Sequence, residues 1–468
     1  MEGLGFVYLD RSLKRSLQAQ LADQVKAVIQ TGKIRAGQKL PSTRVLADQL
    51  QVSRNTVVAA YESLYGEGYL QVNERSAFVV GSATQAFRSR PQQPSLNQKK
   101  YRSPLEPIMP APFRPAQPDV NLFPLKIWNR YRTRVLRKGS SLLQYQSRFS
   151  IGLDELRKNV AGYLRDSRGV RCNWDEIAIT GGSQQALFLL GHLLLGRDRS
   201  VYMEDPGYLG ARRSSLVAGA AVVPVSIDEE GICLPLPPAE NPSLIYVTPS
   251  HQFPLGTCMS LARRLDLLEI ARQQQLWIIE DDYDAEFRYT SAPQPCLQGL
   301  DEHQRVIYMG SFSKTLFPSL RLGFIVLPPE LVDPFTELKT ILDDLSPLID
   351  QATLSYFLES GAFYAHLRRC RRVYAERQAY FLDLVRRKGL PLSFPITGRG
   401  MNLAGRLPQG FDDRVLSQRL QATGLDIPSL STYGIDAKLP GFLFGLTAFD
   451  KPEIHRGVEG LARVLAHQ

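Results

Sequence analysis

Nothing in this chain offers a disulfide framework, a membrane span or a metal centre. Its five cysteines (Cys172, Cys233, Cys258, Cys296 and Cys370) are odd in number, far apart and in no CxxC or Cys/His ligand spacing. Reduced thiols are expected, and no chemistry is assigned to them. The six histidines are scattered rather than grouped as ligands, so no metal is expected. No apolar run reaches the roughly 18 residues that a bilayer span needs, and the first residues, MEGLGFVYLDRSLKRS, lack the apolar core of a signal peptide. The expectation is a soluble, cytoplasmic protein with no membrane partner. Internal repeats and coiled-coil heptads are missing as well, which excludes a solenoid or a fibrous rod.

What is present is length and an uneven charge. With 468 residues and 44% hydrophobic content the chain can fill a large core and a smaller satellite, so two unequal domains are expected. The net charge of +10 is concentrated early: residues 1–80 carry ten Lys/Arg against seven Asp/Glu, and residues 81–115 carry six against one. An excess placed there can neutralise phosphates.

Leu17, Leu21, Val25 and Val28/Ile29 recur at helical spacing, and Gly32 ends that helix. Pro41 and Ser42 open a second, short helix with Val45, Leu46 and Leu50 predicted inward. Ser53 can cap a third, SRNTVVAAYESLYGEG, with Val57, Val58, Tyr61 and Leu64 on its core face. Two short apolar runs, Tyr69 to Val72 and Ala77 to Val80, flank a polar turn and suit a two-stranded wing. Together these elements predict a winged helix-turn-helix. Residues 81–115, rich in Pro, Gln, Ser, Arg and Lys, read as a linker. Beyond it, seven apolar strands alternate with helices: 177–180, 201–204, 221–225, 244–248, 276–281, 306–310 and 322–327. That pattern predicts an α/β sheet covered on both faces, followed by a smaller α+β subdomain over the last hundred residues.

Several strand ends carry reactive or anion-binding groups. Lys314 follows a strand in GSFSK, with Ser311 and Ser313 supplying hydroxyls and Arg321 a fixed positive charge. A partly buried lysine with cationic neighbours sheds its proton and forms Schiff bases with aldehydes. Asp281 and Tyr283, two apart on an extended segment, project from one face. There they can hold a pyridine nitrogen protonated and contact a ring hydroxyl, although an acidic strand end facing solvent fits EDDYD equally well. Gly181-Gly182-Ser183-Gln184 leaves strand for helix and exposes backbone amides where a phosphate docks. Tyr208, after Pro206-Gly207, suits either stacking on a flat heterocycle or a place in the core. Four such elements in the order loop, aromatic, carboxylate and lysine point to pyridoxal 5′-phosphate.

TGGSQQAL, EDPGY, TPSHQFPLG, EDDYDAEFRY and GSFSKTLFPSLRLG stand behind LPSTRVLADQLQVSRNTVVAAYESLYGEGYL. In this arrangement the chain resembles the MocR/GabR subfamily of GntR-type bacterial transcriptional regulators, over residues 11–80 and 117–465. The resemblance implies a multidomain α/β protein: a winged helix-turn-helix over 1–80, a basic linker over 81–115, and a fold-type I aminotransferase-like domain over 116–468. It implies an internal aldimine on Lys314, Asp281 against the pyridine nitrogen, Tyr283 against O3′ and Tyr208 on the ring, with Ser183, Gln184, Ser311, Ser313 and Arg321 around the phosphate. Tyr145 matches a tyrosine that reaches the neighbouring phosphate across a dimer, and family members are similar to domain-swapped homodimers. GntR-type proteins enter the major groove with the start of the third helix. The matching residues are Ser53, Arg54, Asn55 and Thr56, with Arg44 from the second helix, set against operator double-stranded DNA.

Departures from the family pattern are informative. The wing turn reads Glu74-Arg75-Ser76-Ala77 instead of Gly-Ser-Gly. Arginines that hold an effector carboxylate in the GABA-responsive member are Gly210 and Thr432 here, with Arg212, Arg213 and Arg399 nearby in sequence. GFLFGLTAF also lacks the arginine that aminotransferases place there for the substrate carboxylate. Three functions compete: a regulator sensing the coenzyme or a small amino effector, an aminotransferase with an accessory N-terminal domain, and a binding module with an inert coenzyme site. The intact recognition face favours the first over a dispensable tether. Lys314, Asp281 and Arg321 disfavour an inert site, and the missing arginine leaves room only for weak transaminase half-reactions.

Overall fold

The computed structural model describes residues 7–13, 15–73, 77–81, 111–138, 150–290 and 294–466. They fall in two compact units, Met1–Pro107 and Ile108–Gln468. Tyr145, the Glu74-Arg75-Ser76 part of the wing turn and most of the linker lie outside the described residues.

The first unit contains α1 (Leu17–Gln30), α2 (Thr43–Leu50), α3 (Arg54–Gly66), β1 (Leu70–Val72) and β2 (Phe78–Val80). Each helix starts on a serine whose hydroxyl accepts from a backbone amide three residues on: Ser16 from Ala19, Ser42 from Val45, Ser53 from Thr56. Such caps stabilise a helix by about 1 kcal/mol each. Leu21, Val25, Val57, Tyr61, Leu64 and Leu70 form a dry core, each at 1% exposure or less. Val45 does not join it. At 48% exposure it faces solvent, and Leu46 and Ala47 make the contact of this two-turn helix instead. The strands pair antiparallel with Leu70 opposite Val80.

The second unit opens with α4 (Leu125–Lys138) and α5 (Asp154–Arg168). Next come β3 (Ile177–Thr180), α6 (Ser183–Leu194), β4 (Ser200–Asp205), α7 (Leu209–Val217), β5 (Ala221–Asp228), β6 (Gly231–Ile232), β7 (Pro242–Val247), α8 (Leu261–Gln273) and β8 (Trp277–Asp281). They are followed by α9 (Leu297–Leu300), β9 (Val306–Ser311), α10 (Phe312–Thr315), β10 (Gly323–Val326), α11 (Pro329–Asp343), α12 (Leu348–Glu359) and α13 (Ala362–Arg387). A C-terminal layer adds β11 (Asn402–Arg406), α14 (Asp413–Ala422), β12 (Gly441–Gly445) and α15 (Lys451–Leu465).

All seven strands read from the apolar runs are present, and β6 completes an eight-stranded sheet of order β3-β10-β9-β8-β7-β4-β5-β6. Strands β9, β8, β7, β4 and β5 run parallel, and the four inner ones, β9, β8, β7 and β4, are buried almost throughout. β10 runs antiparallel to both neighbours, and Gly323 pairs with Ser311 on one side and Thr180 on the other. This register brings the glycine loop after β3 and the lysine turn after β9 to one sheet end. A side chain at Gly323 would stand 3.0 Å from Gly182 Cα, so the close approach requires glycine.

Residues 111–115, composed like a tether, belong to the second unit. Phe113 is fully buried against Phe381, Phe444 and Phe449, and its carbonyl accepts from Gly445 N at 2.8 Å.

Candidate coenzyme and DNA sites

The ends of β8 and β9 supply the reactive groups. Along Glu280-Asp281-Asp282-Tyr283 the side chains alternate between the two sides of the sheet. Glu280 turns to the Leu297 and Gln298 amides, and Asp282 to Arg168 and the Tyr308 hydroxyl. All four acids of EDDYD are 5% exposed or less, so this is no solvated strand end.

Asp281 and Tyr283 turn the other way, into a cavity of about 400 Å³. Ser183, Tyr208, Ser311 and Lys314 line it with them, so six residues proposed from separate motifs meet in one space. Tyr246 donates to Asp281 Oδ2 at 2.7 Å, while Oδ1 is buried without a partner among the described residues. Burial pushes the Asp281 carboxyl up to about 7, and the neighbouring Asp282 and Asp284 add to this against the Tyr246 hydrogen bond. Burial likewise lowers the pKa of Lys314, whose Nζ donates to the Ala116 carbonyl at 3.1 Å. An amine biased toward its neutral form beside an under-satisfied buried carboxylate is a combination that a cationic heterocycle with an aldehyde would complete.

Gln184, Ser313 and Arg321 do not line this cavity but stand next to residues that do or to the glycine loop. Gly182 has φ +107°, a conformation that favours glycine, and a side chain there would stand 3.2 Å from Arg321 Nη2. Arg321 itself is held at φ +50°. Ser311 Oγ accepts from Ser313 N at 3.2 Å and so caps the lysine turn, and Ser313 Oγ is a buried hydroxyl without a partner among the described residues. A positive helix end, a guanidinium and a spare hydroxyl are the donors that a dianionic phosphate would require. Gln184 donates to the Tyr208 hydroxyl at 3.0 Å, which orients that ring from outside the cavity. Tyr208 is half-buried at the cavity wall, where it also packs against the core of the large sheet.

Sequence reading passed over several neighbours. His251 stacks on Tyr283 with ring centroids 5.8 Å apart, and its Nδ1 lies 2.8 Å from Asp284 Oδ1 and 3.0 Å from the Tyr283 hydroxyl. Tyr246, Thr248, Phe253, Asn402, Asp426, Tyr433 and Arg114 also line the cavity. His251 lies within TPSHQFPLG, so its motif was visible although its role was not. Asp205 ties the cavity rim to the C-terminal layer by accepting from the Ile435, Asp436 and Ala437 amides at 2.6–2.9 Å. Arg212, Arg213 and Arg399 do not line the cavity. No group of metal-ligating side chains and no helix long and apolar enough to cross a membrane occurs among the described residues.

In the first unit, Arg44, Ser53, Arg54 and Asn55 are exposed and Thr56 is half-buried. Ser53 Oγ accepts from Thr56 N and lies 2.8 Å from Thr56 Oγ1. Both hydroxyls therefore serve the helix start, and of the five, Arg44, Arg54 and Asn55 are left without a side-chain partner among the described residues.

Comparison with known proteins agrees with this division. Residues 17–80 match the bacterial regulatory proteins of the gntR family, and residues 123–420 match the class I and II aminotransferases. The chain is 38% identical to a probable rhizopine catabolism regulatory protein, MocR, of Rhizobium meliloti, over 97% of this chain and 94% of the relative. It is 30% identical to a pyridoxine biosynthesis transcriptional regulator, PdxR, of Corynebacterium glutamicum, over 93% of each. The crystal structure of an α-aminoadipate aminotransferase from Thermus thermophilus, complexed with N-(5′-phosphopyridoxyl)-L-leucine, superposes with a TM-score of 0.70 at 29% identity. That match covers 76% of this chain and 92% of the enzyme.

Proposed function

The chain belongs to the MocR-type transcriptional regulators, which join a GntR helix-turn-helix to a class I and II aminotransferase fold, and from that premise we propose that it reads a promoter under the control of pyridoxal 5′-phosphate. The aminotransferase fold implies dependence on that coenzyme, and the helix-turn-helix implies binding to DNA. One observation carries the reading. Lys314, the hydroxyls of Ser183 and Ser311, and a buried aspartate with one oxygen unpartnered among the described residues line a single cavity, in a chain that also presents Arg54 and Asn55 at an exposed helix start.

In this proposal Lys314 holds the coenzyme covalently, Asp281 keeps its ring nitrogen protonated and Tyr283 contacts the ring hydroxyl. Tyr208 covers the ring, and Ser183, Ser311, Ser313 and Arg321 bind the phosphate, with Gln184 positioning Tyr208. The coenzyme supplies an electrophilic aldehyde and an electron-withdrawing ring. Tyr145 of a second subunit completes the phosphate site in a domain-swapped homodimer, whose two readers span a two-part operator. Coenzyme and amino effector act by differential affinity for two arrangements of that dimer. The arginine-free strand segment Gly441–Phe449 supports regulation over efficient transamination.

The test is a fluorescence-anisotropy titration of the full chain against the DNA upstream of its own gene, with and without coenzyme. A discrete site is expected, with affinity that changes on coenzyme addition and falls linearly on a log–log salt plot by about 0.9 per phosphate contacted. Equal affinity for unrelated DNA, or a flat salt dependence, overturns the DNA reading. Affinity indifferent to coenzyme overturns the sensing.

A further inference from the structure

The cavity extends past the proposed coenzyme contacts to Arg114, Asn402, Asp426 and Tyr433, none of which that reading uses. Asn402 is 5% exposed, and its Oδ1 accepts from Ala116 N at 2.7 Å. Because an amide N–H must meet the oxygen, this bond fixes the side-chain orientation and leaves Nδ2 as the outstanding donor. Nδ2 is buried with no partner among the described residues. A donor left in that state costs about 1–3 kcal/mol, which a ligand acceptor recovers.

Arg114 stands two residues before Ala116, on the same segment. Its ion pair is with Asp426, through Nε at 3.7 Å, between side chains 57% and 38% exposed. A contact that long and that wet contributes little, so the guanidinium is available to a better partner. The same segment reaches the reactive amine, since the Ala116 carbonyl accepts from Lys314 Nζ. Arg114, Ala116, Lys314 and Asn402 all line the one cavity.

The positions where an arginine would otherwise wait are closed. In the arginine-free segment Gly441–Phe449 every residue of β12 is buried, Leu443 among Leu255, Ala404 and Leu430. A side chain at Gly210 would collide with the Gln184 amide and the Tyr208 ring, and Thr432 Oγ1 bonds Ser429 Oγ at 2.7 Å.

Resting on the coenzyme reading above, we infer that Arg114 and Asn402 form the carboxylate anchor of the effector site, which makes the ligand a small amino acid with a primary amine. Recognition moves from the strand and loop positions to the segment entering the second unit. Arg114 supplies charge and Asn402 Nδ2 supplies a directed hydrogen bond. The aromatic wall of Tyr208, Phe253 and Tyr433 selects an unbranched, largely apolar spacer between the two ends.

The experiment titrates the coenzyme-loaded full chain by calorimetry with linear amino acids from glycine to 5-aminopentanoate, and with length-matched alkylamines. The visible absorbance of each protein is recorded first. At least one amino acid is expected to bind more than about tenfold tighter than its alkylamine, a difference of about 1.4 kcal/mol. Arg114→Gln should abolish that preference. Asn402→Asp keeps an acceptor for Ala116 N but replaces the donor with a charge that repels carboxylate, and should reverse the preference. Protein that takes up no coenzyme sinks the underlying reading and this one with it. Normal coenzyme absorbance with no amino-acid preference, or with a preference that both variants retain, overturns the anchor alone.

Discussion

Asp281→Asn tests the electrostatic centre of the cavity with almost no change of shape. The substituted amide oxygen can still accept from the Tyr246 hydroxyl, which lies 2.7 Å from Oδ2. Without coenzyme, the native carboxyl has its pKa raised by burial to about 7 from an ordinary value of 3.8. A raised folded-state pKa means that folding favours the protonated form. Its contribution is fully present below the unfolded value and lost as pH rises through the folded one. The coenzyme-free protein should therefore lose stability between about pH 4 and pH 8, with an upper bound near 4 kcal/mol from this group. Glu204 and Glu280, both pushed up to about 7 by burial, add to the same trend. Asp281→Asn removes one of the three, so the coenzyme-free variant should melt above the native protein near pH 8 and close to it near pH 4. With coenzyme the order reverses. In the proposed site a pyridinium would pair the native carboxylate, and losing a buried charge pair costs about 3–5 kcal/mol, so coenzyme affinity should fall by about two to four orders of magnitude. The assay is thermal unfolding across pH, with and without coenzyme, beside an absorbance titration. A variant whose coenzyme-free stability tracks the native curve at every pH, or whose coenzyme affinity is unchanged, refutes the placement of Asp281 against the ring.

Lys314→Ala should abolish the visible absorbance of bound coenzyme while far-ultraviolet dichroism stays native; an unchanged spectrum would mean that another lysine reacts. Gly182→Ala forces a side chain into φ +107° beside Arg321. It should destabilise by about 1–3 kcal/mol and weaken pyridoxal phosphate far more than pyridoxal, read by paired titrations; equal weakening of both would remove the phosphate from this loop. Ser53→Ala should cost about 1 kcal/mol of stability through the lost cap, measured by urea unfolding. Arg54→Ala should leave stability unchanged and reduce operator affinity by about 1–3 kcal/mol. An Arg54 variant that binds DNA as the native protein does would exclude this helix start from the interface.

Much of the architecture is local and therefore legible. Capping serines, glycine stops and apolar runs located the three N-terminal helices and every long strand of the large sheet, because cap chemistry and burial on both sheet faces leave marks within a few residues. Val45 shows the limit. A helix of eight residues has too few positions for periodicity to fix its inward face, and packing against α3 selected Leu46 and Ala47. The linker shows another, since composition marks residues 111–115 as tether-like while Phe113 fills a pocket in the C-terminal layer.

In the cavity, each strand-end motif advertised one group: Ser183 after the glycine pair, Tyr208, Asp281 with Tyr283, and Lys314 behind its serines. The types of chemistry and their order along the chain were thus written in the sequence. Their partners were not. Asn402 meets Ala116 across 286 positions, Lys314 meets the same residue across 198, and Asp205 is held by amides 230 to 232 residues away. Only the closed fold decided that Asp281 keeps one oxygen without a partner among the described residues, that a side chain at Gly210 would meet the Gln184 amide and the Tyr208 ring, and that Arg114 reaches the cavity from the entering segment. Motifs arise from backbone geometry over a few residues, whereas burial, desolvation and unpaired donors depend on what the rest of the chain brings alongside.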